Sequence, residues 1–292
     1  MLVVGDHAGP VTAAAFSPDG RGLATASKDG TVRLWDLTGQ PAVNIAWHRG
    51  PALAVAVSPT GEWLASGGAD KTVRLGRPDA LLDSTFGPFE APVCAVAFVQ
   101  GGQYLAAAIG NRINAAEPGE VRLWRVGDRA EIHRLGERYG VWALAAEHEG
   151  KHIAWAGGNR RVTLWEITSQ DRHIFPPLKA APAALAMSRD GQLLAASDDW
   201  AIRLWSVRER RDLRDLIGHK GRVSALAFAA DGRTLLSGGG DKRTIVWDTD
   251  SGRERASFDF DVGRVAALAV SPDGLLGAAA GDKGRVIVWD LE

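Results

Sequence analysis

Three times the chain places an imidazole, a hydroxyl and a carboxylate at matching positions: His7, Thr25 and Asp29; His48, Ser66 and Asp70; His219, Ser237 and Asp241. A hydroxyl beside a histidine that an aspartate orients is the apparatus of nucleophilic hydrolysis. The same groups can also fasten a packed interior, each satisfying the next. Repetition favours the fastener, because one catalytic centre needs one set, so no catalytic residue is assigned. Other chemistry is thin. His133, His148, His152 and His173 lack the spacing of zinc ligands, and Cys94 has no cysteine partner. His148 and His152 are four apart, but the run from Glu147 to His152 reads as a turn between strands, not a helix that would aim both at one metal. No glycine-rich phosphate loop stands between a strand and a helix, and Gly238-Gly-Gly240 reads as a strand-end turn. Neither a metal nor a cofactor is expected.

The elements that must carry these residues come from a repeat. Third-strand endings recur at Trp35-Asp36, Gly76-Arg77, Trp124-Arg125, Trp165-Glu166, Trp205-Ser206, Trp247-Asp248 and Trp289-Asp290, with steps of 41, 48, 41, 40, 42 and 42 residues. A period of about 40–45 residues with a Trp-Asp ending predicts a β-propeller blade of four strands. Turn glycines at 20, 61, 102, 150, 191, 232 and 274 give a ruler, and nine residues before each an apolar run begins. Alanine stands two and four places into every run, as Ala13 and Ala15 or Ala225 and Ala227. Those offsets share one strand face. The other face carries Leu144, Leu185, Leu226 and Leu268, then Phe16, Phe98 and Phe228. A strand with one thin and one thick apolar face must be buried on both sides. These are therefore the innermost strands, the thick face of one blade meeting the thin face of its neighbour.

The fold class is all-β, a seven-bladed propeller, with repeats near 5–41, 42–82, 83–130, 131–171, 172–212, 213–253 and 254–292 plus 1–4, read as one domain over 1–292. The last repeat stops after its third strand, so Leu2-Val3-Val4 is expected to supply the outer strand of blade seven and cover an exposed edge. A formal net charge of −1, from 34 basic and 35 acidic residues, argues against a general nucleic-acid or membrane-surface role. The start lacks a signal-peptide pattern, no apolar run approaches the ~20 residues of a membrane span, and a single cysteine suits a reducing compartment. A cytoplasmic monomer is expected. Alanine-rich strands with frequent glycine and arginine suggest a bacterial, GC-rich source.

These residues resemble the WD-repeat family of seven-bladed propellers over essentially the whole chain. The resemblance implies that a His, a Ser or Thr, an Asp and the Trp form a hydrogen-bonded network inside a blade. Two repeats keep all four types: His7, Thr25, Asp29 and Trp35, then His219, Ser237, Asp241 and Trp247. The second has Gly76 for the Trp, which marks a weaker or differently packed blade. At the histidine position the others have Phe89, Glu137, Leu178 and Asp261, none expected to play the same part.

The resemblance also implies that partners meet the face formed by loops that enter the innermost strands and loops that join second to third strands. Most of that rim is small and plain: Pro10 and Thr12, Pro51 and Leu53, Pro92 and Cys94, Ala181 and Ala183. Trp142, Lys28, Asp198, Arg222 and Arg264 stand out. The third repeat has 22 residues between Gly102 and Trp124 where most have 15, and the excess falls in a polar loop from Ile109 to Gly119 containing Arg112, Asn114 and Glu117. Trp142 beside it is either an interaction hot spot or a side chain that the loop covers. Trp200 is either a rim contact or turn packing, while Trp47 and Trp63 are expected in strand packing. Arg222 and Arg264, on adjacent blades, offer charge to an acidic peptide or a phosphate group. The expected role is a non-catalytic scaffold for a protein or peptide partner. The alternatives are a propeller enzyme or small-ligand binder using the channel, and a targeting or regulatory partner of a separate effector such as a kinase or protease.

Overall fold

The computed structural model describes residues 1–38, 43–45, 47–79, 82–147 and 150–291. Within them the chain forms seven four-stranded antiparallel sheets. In the first blade the strands run outward as Val11–Phe16, Gly22–Ser27, Val32–Asp36 and Val43–Ile45. In the seventh they are Val265–Val270, Leu276–Gly281, Arg285–Asp290 and Leu2–Asp6. Leu2 lies opposite Val288 and Asp6 opposite Arg285, so the N-terminal strand completes the last blade as expected. It runs two residues further than Leu2–Val4, with a register break between Val3 and Gly5. A Cβ at Gly5 would come within 2.3 Å of the Trp35 ring, so glycine lets this strand pass the first blade's tryptophan. The seven ruler glycines all have φ between 66° and 94°, the left-handed region a tight turn requires.

The core is divided among the seven blade interfaces, and the thin-against-thick rule holds at each. Ala54 of blade two packs with Val96 and Phe98 of blade three. Ala143 and Ala145 of blade four meet Leu185 and Met187 of blade five. At the closure, Ala267 and Ala269 of blade seven meet Phe16 of blade one. Wedging a methyl face against a larger one brings inner strands close while filling the interior at native density. Phe16, Val57, Phe98, Met187, Phe228 and Val270 then line a cavity of about 490 Å³ at one mouth of the channel.

Blade five departs from the repeat. Its inner strand is only Leu185–Met187, although the apolar run begins at Pro182. Proline has no N–H to donate to a ladder. Ser197 Oγ compensates by accepting the amides of Ala183 and Ala184 at 2.8 and 3.1 Å. No helix among the described residues is long and apolar enough to cross a membrane.

Candidate partner-binding face

The three polar trios assemble inside their blades. In blade one His7 Nε2 lies 2.7 Å from Thr25 Oγ1, and His7 Nδ1 lies 3.1 Å from Asp29 Oδ2. The Trp35 indole donates to Thr25 Oγ1 at 2.8 Å. Blade six repeats this: His219 Nε2 to Ser237 Oγ 2.7 Å, His219 Nδ1 to Asp241 Oδ2 2.9 Å, and Trp247 Nε1 donating to Ser237 at 2.7 Å. The connectivity is that of a hydrolytic triad, but the hydroxyls of Thr25, Ser66 and Ser237 are all 0% exposed. In blades one and six the oxygen also accepts an indole N–H, leaving no approach for a carbonyl carbon. Burial lowers the His7 and His48 pKa values against the opposing pull of Asp29 and Asp70. In blade two Ser66 meets His48 at 2.8 Å but has no tryptophan beside it. Trp63 instead lies half-buried under the guanidinium groups of Arg129 and Arg77, at 4.6 and 5.3 Å, and Trp47 is buried between blades one and two.

The other tryptophans are held differently. Phe89 and Phe86 pack on Trp124, Phe175 on Trp205 and Phe260 on Trp289, with ring centroids 4.4–5.8 Å apart. Phe175 and Phe260 lie in the entering loops, three and one residues ahead of the aligned Leu178 and Asp261. A sequence reader scanning for histidine at one fixed position passes over them. Leu178 is buried beside Phe175, and Asp261 pairs with Lys283 and Arg285. Glu137 takes a role that its sequence position does not suggest: its carboxylate accepts the indole N–H of Trp155 at 2.9 Å. Trp155 occupies the second-strand place that Thr25 holds in blade one, so an indole and a carboxylate replace the hydroxyl and the imidazole. In the same blade His152 Nδ1 lies 3.2 Å from Glu147; His148 is outside the described residues.

At the channel mouth, six inner strands share a register break around their second residue: Thr12, Leu53, Cys94, Trp142, Ser224 and Ala266. Such a bulge re-aims the side chain, here toward the neighbouring blade. Thr12 donates to the Ala52 carbonyl at 2.8 Å and Ser224 to the Val265 carbonyl at 2.5 Å, each the first inner-strand residue of the next blade. Trp142 does the same with its indole, reaching the Pro182 carbonyl at 2.7 Å. It is only 5% exposed, so of the two expectations for Trp142 the covered one describes its placement. Cys94 points instead to the Gly110 carbonyl at 3.2 Å, and burial raises its pKa to about 11.

The loop between Ile109 and Gly119 is fastened from within. Asn111 Oδ1 accepts the amides of Ile113 and Asn114, and Glu117 accepts from the side chains of Asn111 and Asn114 at 2.9 and 2.8 Å. Asn114 and Glu117 are thus spent on holding the loop. Its tip presents Ile113, 99% exposed, an apolar residue whose type in a polar insertion was the available signal. Arg112 leaves the loop, passes over the Trp142 ring at 5.9 Å and reaches the Ala183 carbonyl at 3.4 Å. Arg222 comes from blade six to the Ala181 carbonyl at 2.6 Å. Arg264, expected as its free neighbour, is paired with Asp282 at 3.0 Å. Asp198, expected on the rim, is 2% exposed because its carboxylate turns inward to accept the Ala180 amide at 2.9 Å. Lys28 is exposed on blade one, and Trp200, in the corresponding turn of blade five, is 52% exposed.

Seven closed four-stranded blades, with the third-strand tryptophan locked inside most of them, define the class: a β-propeller built from Trp-Asp repeats. The chain carries WD repeats. The family described as WD domain, G-beta repeat matches residues 2–36, 39–75, 179–206 and 210–248. An uncharacterized WD repeat-containing protein of Synechocystis is 34% identical over 115 residues, 38% of this chain and 33% of that protein. Transducin beta-like protein 3 of Rattus norvegicus is 31% identical over 129 residues, 43% of this chain and 16% of that one. A human F-box-like/WD repeat-containing protein is 35% identical over 106 residues, 36% of this chain and 20% of its own length. The matches thus span a third or less of these relatives. Propellers of this family are generally protein-interaction scaffolds.

Proposed function

We propose that this chain is a non-catalytic scaffold that binds a protein or peptide partner on the face where the Ile109–Gly119 loop and the second-to-third-strand turns lie. The observation that carries this reading is the exposure of two large apolar side chains on that face, Ile113 at 99% and Trp200 at 52%. Both stand on short, hydrogen-bonded connections rooted in rigid blades. An aromatic and an aliphatic anchor on a pre-organised frame, flanked by arginine, is the composition that concentrates binding energy in interfaces. Binding would need little rearrangement of the ring. The buried hydroxyls of the trios favour the scaffold over a hydrolase.

The test compares affinity capture from the source organism by wild type and by an Ile113→Ser, Trp200→Ala variant. Both substitutions are at exposed positions and should leave the melting temperature unchanged. The variant is expected to lose at least one partner that wild type recovers. Recovery of every partner in equal amount would overturn the assignment of this face.

A further inference from the structure

Arg112 and Arg222 approach one short segment from opposite sides. Arg112 comes from the loop of blade three and Arg222 from the entering loop of blade six, yet their acceptors, the carbonyls of Ala183 and Ala181, are two residues apart in blade five. Neither guanidinium has an ion pair among the described residues. Among other arginines on these loops, Arg264 has Asp282 and Arg243 has Glu254. Of the carboxylates on adjoining segments, Asp198 is committed to the Ala180 amide and Glu117 to Asn111 and Asn114, while Asp199 stands exposed in the turn of blade five. Desolvation, and beyond it the charge of Arg222, lowers the Arg112 pKa, although the residue as a whole is exposed. Two like charges are therefore held on neighbouring carbonyls of one segment, and neither is ion-paired among the described residues. A carbonyl can take one or two of a guanidinium's five N–H groups, so several donors on each arginine remain available.

We propose that these two arginines form a cradle for an oxyanion carried by the partner, a carboxylate or a phosphorylated side chain, seated over blade five between Arg112 and Arg222. The inference rests on the loop face being the binding face and specifies its chemistry. Planar guanidinium forks match either oxyanion, and a second fork from the other side fixes its orientation. Trp200, in the turn of blade five, would then serve residues adjacent to the anion.

The experiment uses the full chain with ¹⁵N-labelled arginine, titrated with sodium phosphate and separately with sodium acetate at constant ionic strength. The Nε–H resonances of Arg112 and Arg222 are expected to shift saturably while that of the paired Arg264 stays in place. Arg222→Gln, and separately Arg112→Gln, should each weaken the anion by about tenfold. Tighter binding of phosphate assigns the cradle to a phosphorylated side chain, and tighter binding of acetate to an aspartate, glutamate or chain terminus. Absence of a saturable shift with both ions, or affinity unchanged from wild type in either glutamine variant, overturns the cradle. That failure would leave the capture result for Ile113 and Trp200 untouched, whereas unchanged capture by the Ile113→Ser, Trp200→Ala variant with an intact phosphate response would overturn only the wider face.

Discussion

Blades one and six hold their tryptophan by a relay of polar groups, while blades five and seven hold the same residue with phenylalanine and leave its N–H unused. Trp35 and Trp247 donate to Thr25 and Ser237, which face His7 and His219. Trp205 and Trp289 stand beside Ala196 and Ala279 at the equivalent second-strand positions, and their Nε1 atoms are buried without a partner. Phe175 and Phe260 press on those rings instead, at 4.9 and 4.4 Å. What every one of these blades preserves is the large ring wedged between sheets. The hydrogen-bonded relay is one way to orient it, and a second aromatic is another. Net hydrogen-bond gains are modest whereas an orphaned buried donor is costly, so the relay is strong only when complete.

Breaking the relay at its centre should produce the largest effect. Ser237→Ala removes the acceptor of Trp247 and the partner of His219 Nε2 at once, two buried groups at about 1–3 kcal/mol each, for a loss of roughly 3 kcal/mol. Adding His219→Phe to that variant recreates the arrangement of blade three, where Phe89 packs on Trp124, and should recover more than half of the loss. Urea midpoints for the single and double variants decide it. If the double variant is less stable than the single, the two modes of fastening are not interchangeable and the comparison fails.

Acid should separate the two kinds of blade more gently. Burial holds the His7 pKa below its ordinary 6.5, so as pH falls the unfolded chain takes up that proton first and blade one loses stability below 6.5. Burial would raise the Asp29 pKa, but hydrogen bonds from Thr31 and the pull of His7 outweigh it and hold it at about 2. A carboxylate depressed from 3.8 stabilises the fold above that value, and the contribution is lost between 3.8 and about 2. Both groups act in the same direction. Discounted for solvent screening, the combined loss by pH 3 is on the order of 1 kcal/mol. Amide exchange corrected for intrinsic rates should show Gly22–Ser27 losing protection on acidification faster than Tyr104–Ile109 of blade three, whose tryptophan packs on Phe86 and Phe89. Equal slopes would mean that the relay's titration does not reach the blade.

Much of this architecture was legible because it is periodic. Alanines two and four places into each run share a face by strand geometry alone, and seven copies leave one way to pack them. The strand at Leu2 could be assigned because the last repeat lacked one. The face was less legible, since a residue's type does not tell which way a bulge sends it. Trp142 reads as an anchor, yet the bulge at its position aims the side chain toward the next blade, and its indole does what the hydroxyls of Thr12 and Ser224 do. Asp198 sits one residue before its turn and bends inward for the same local reason, an amide at Ala180 that needs an acceptor. Arg112 was singled out only as part of an insertion, because a contact spanning 71 residues of chain leaves no mark in a one-dimensional pattern. Phe175 and Phe260 escaped because they replace a histidine in space without aligning with it.

The smallest expected effect is the sharpest test of why blades five and seven differ. Ala196 lies opposite Arg203, two residues before Trp205, as Ser237 lies opposite Ile245, two residues before Trp247. A serine hydroxyl at 196 would therefore stand where Ser237 receives its indole at 2.7 Å. Ala196→Ser should give Trp205 Nε1 an acceptor and raise stability by about 0.5–1 kcal/mol, less than a complete relay, because Leu178 offers the new hydroxyl no imidazole in return. Ala196→Val adds volume without an acceptor and should destabilise the blade through overpacking. The indole proton of Trp205 reports the bond directly by a downfield shift in the serine variant alone. Were the shift to appear without any gain in stability, Phe175 packing would already be compensating for the unpaired donor, and the aromatic mode would be the equal of the polar one.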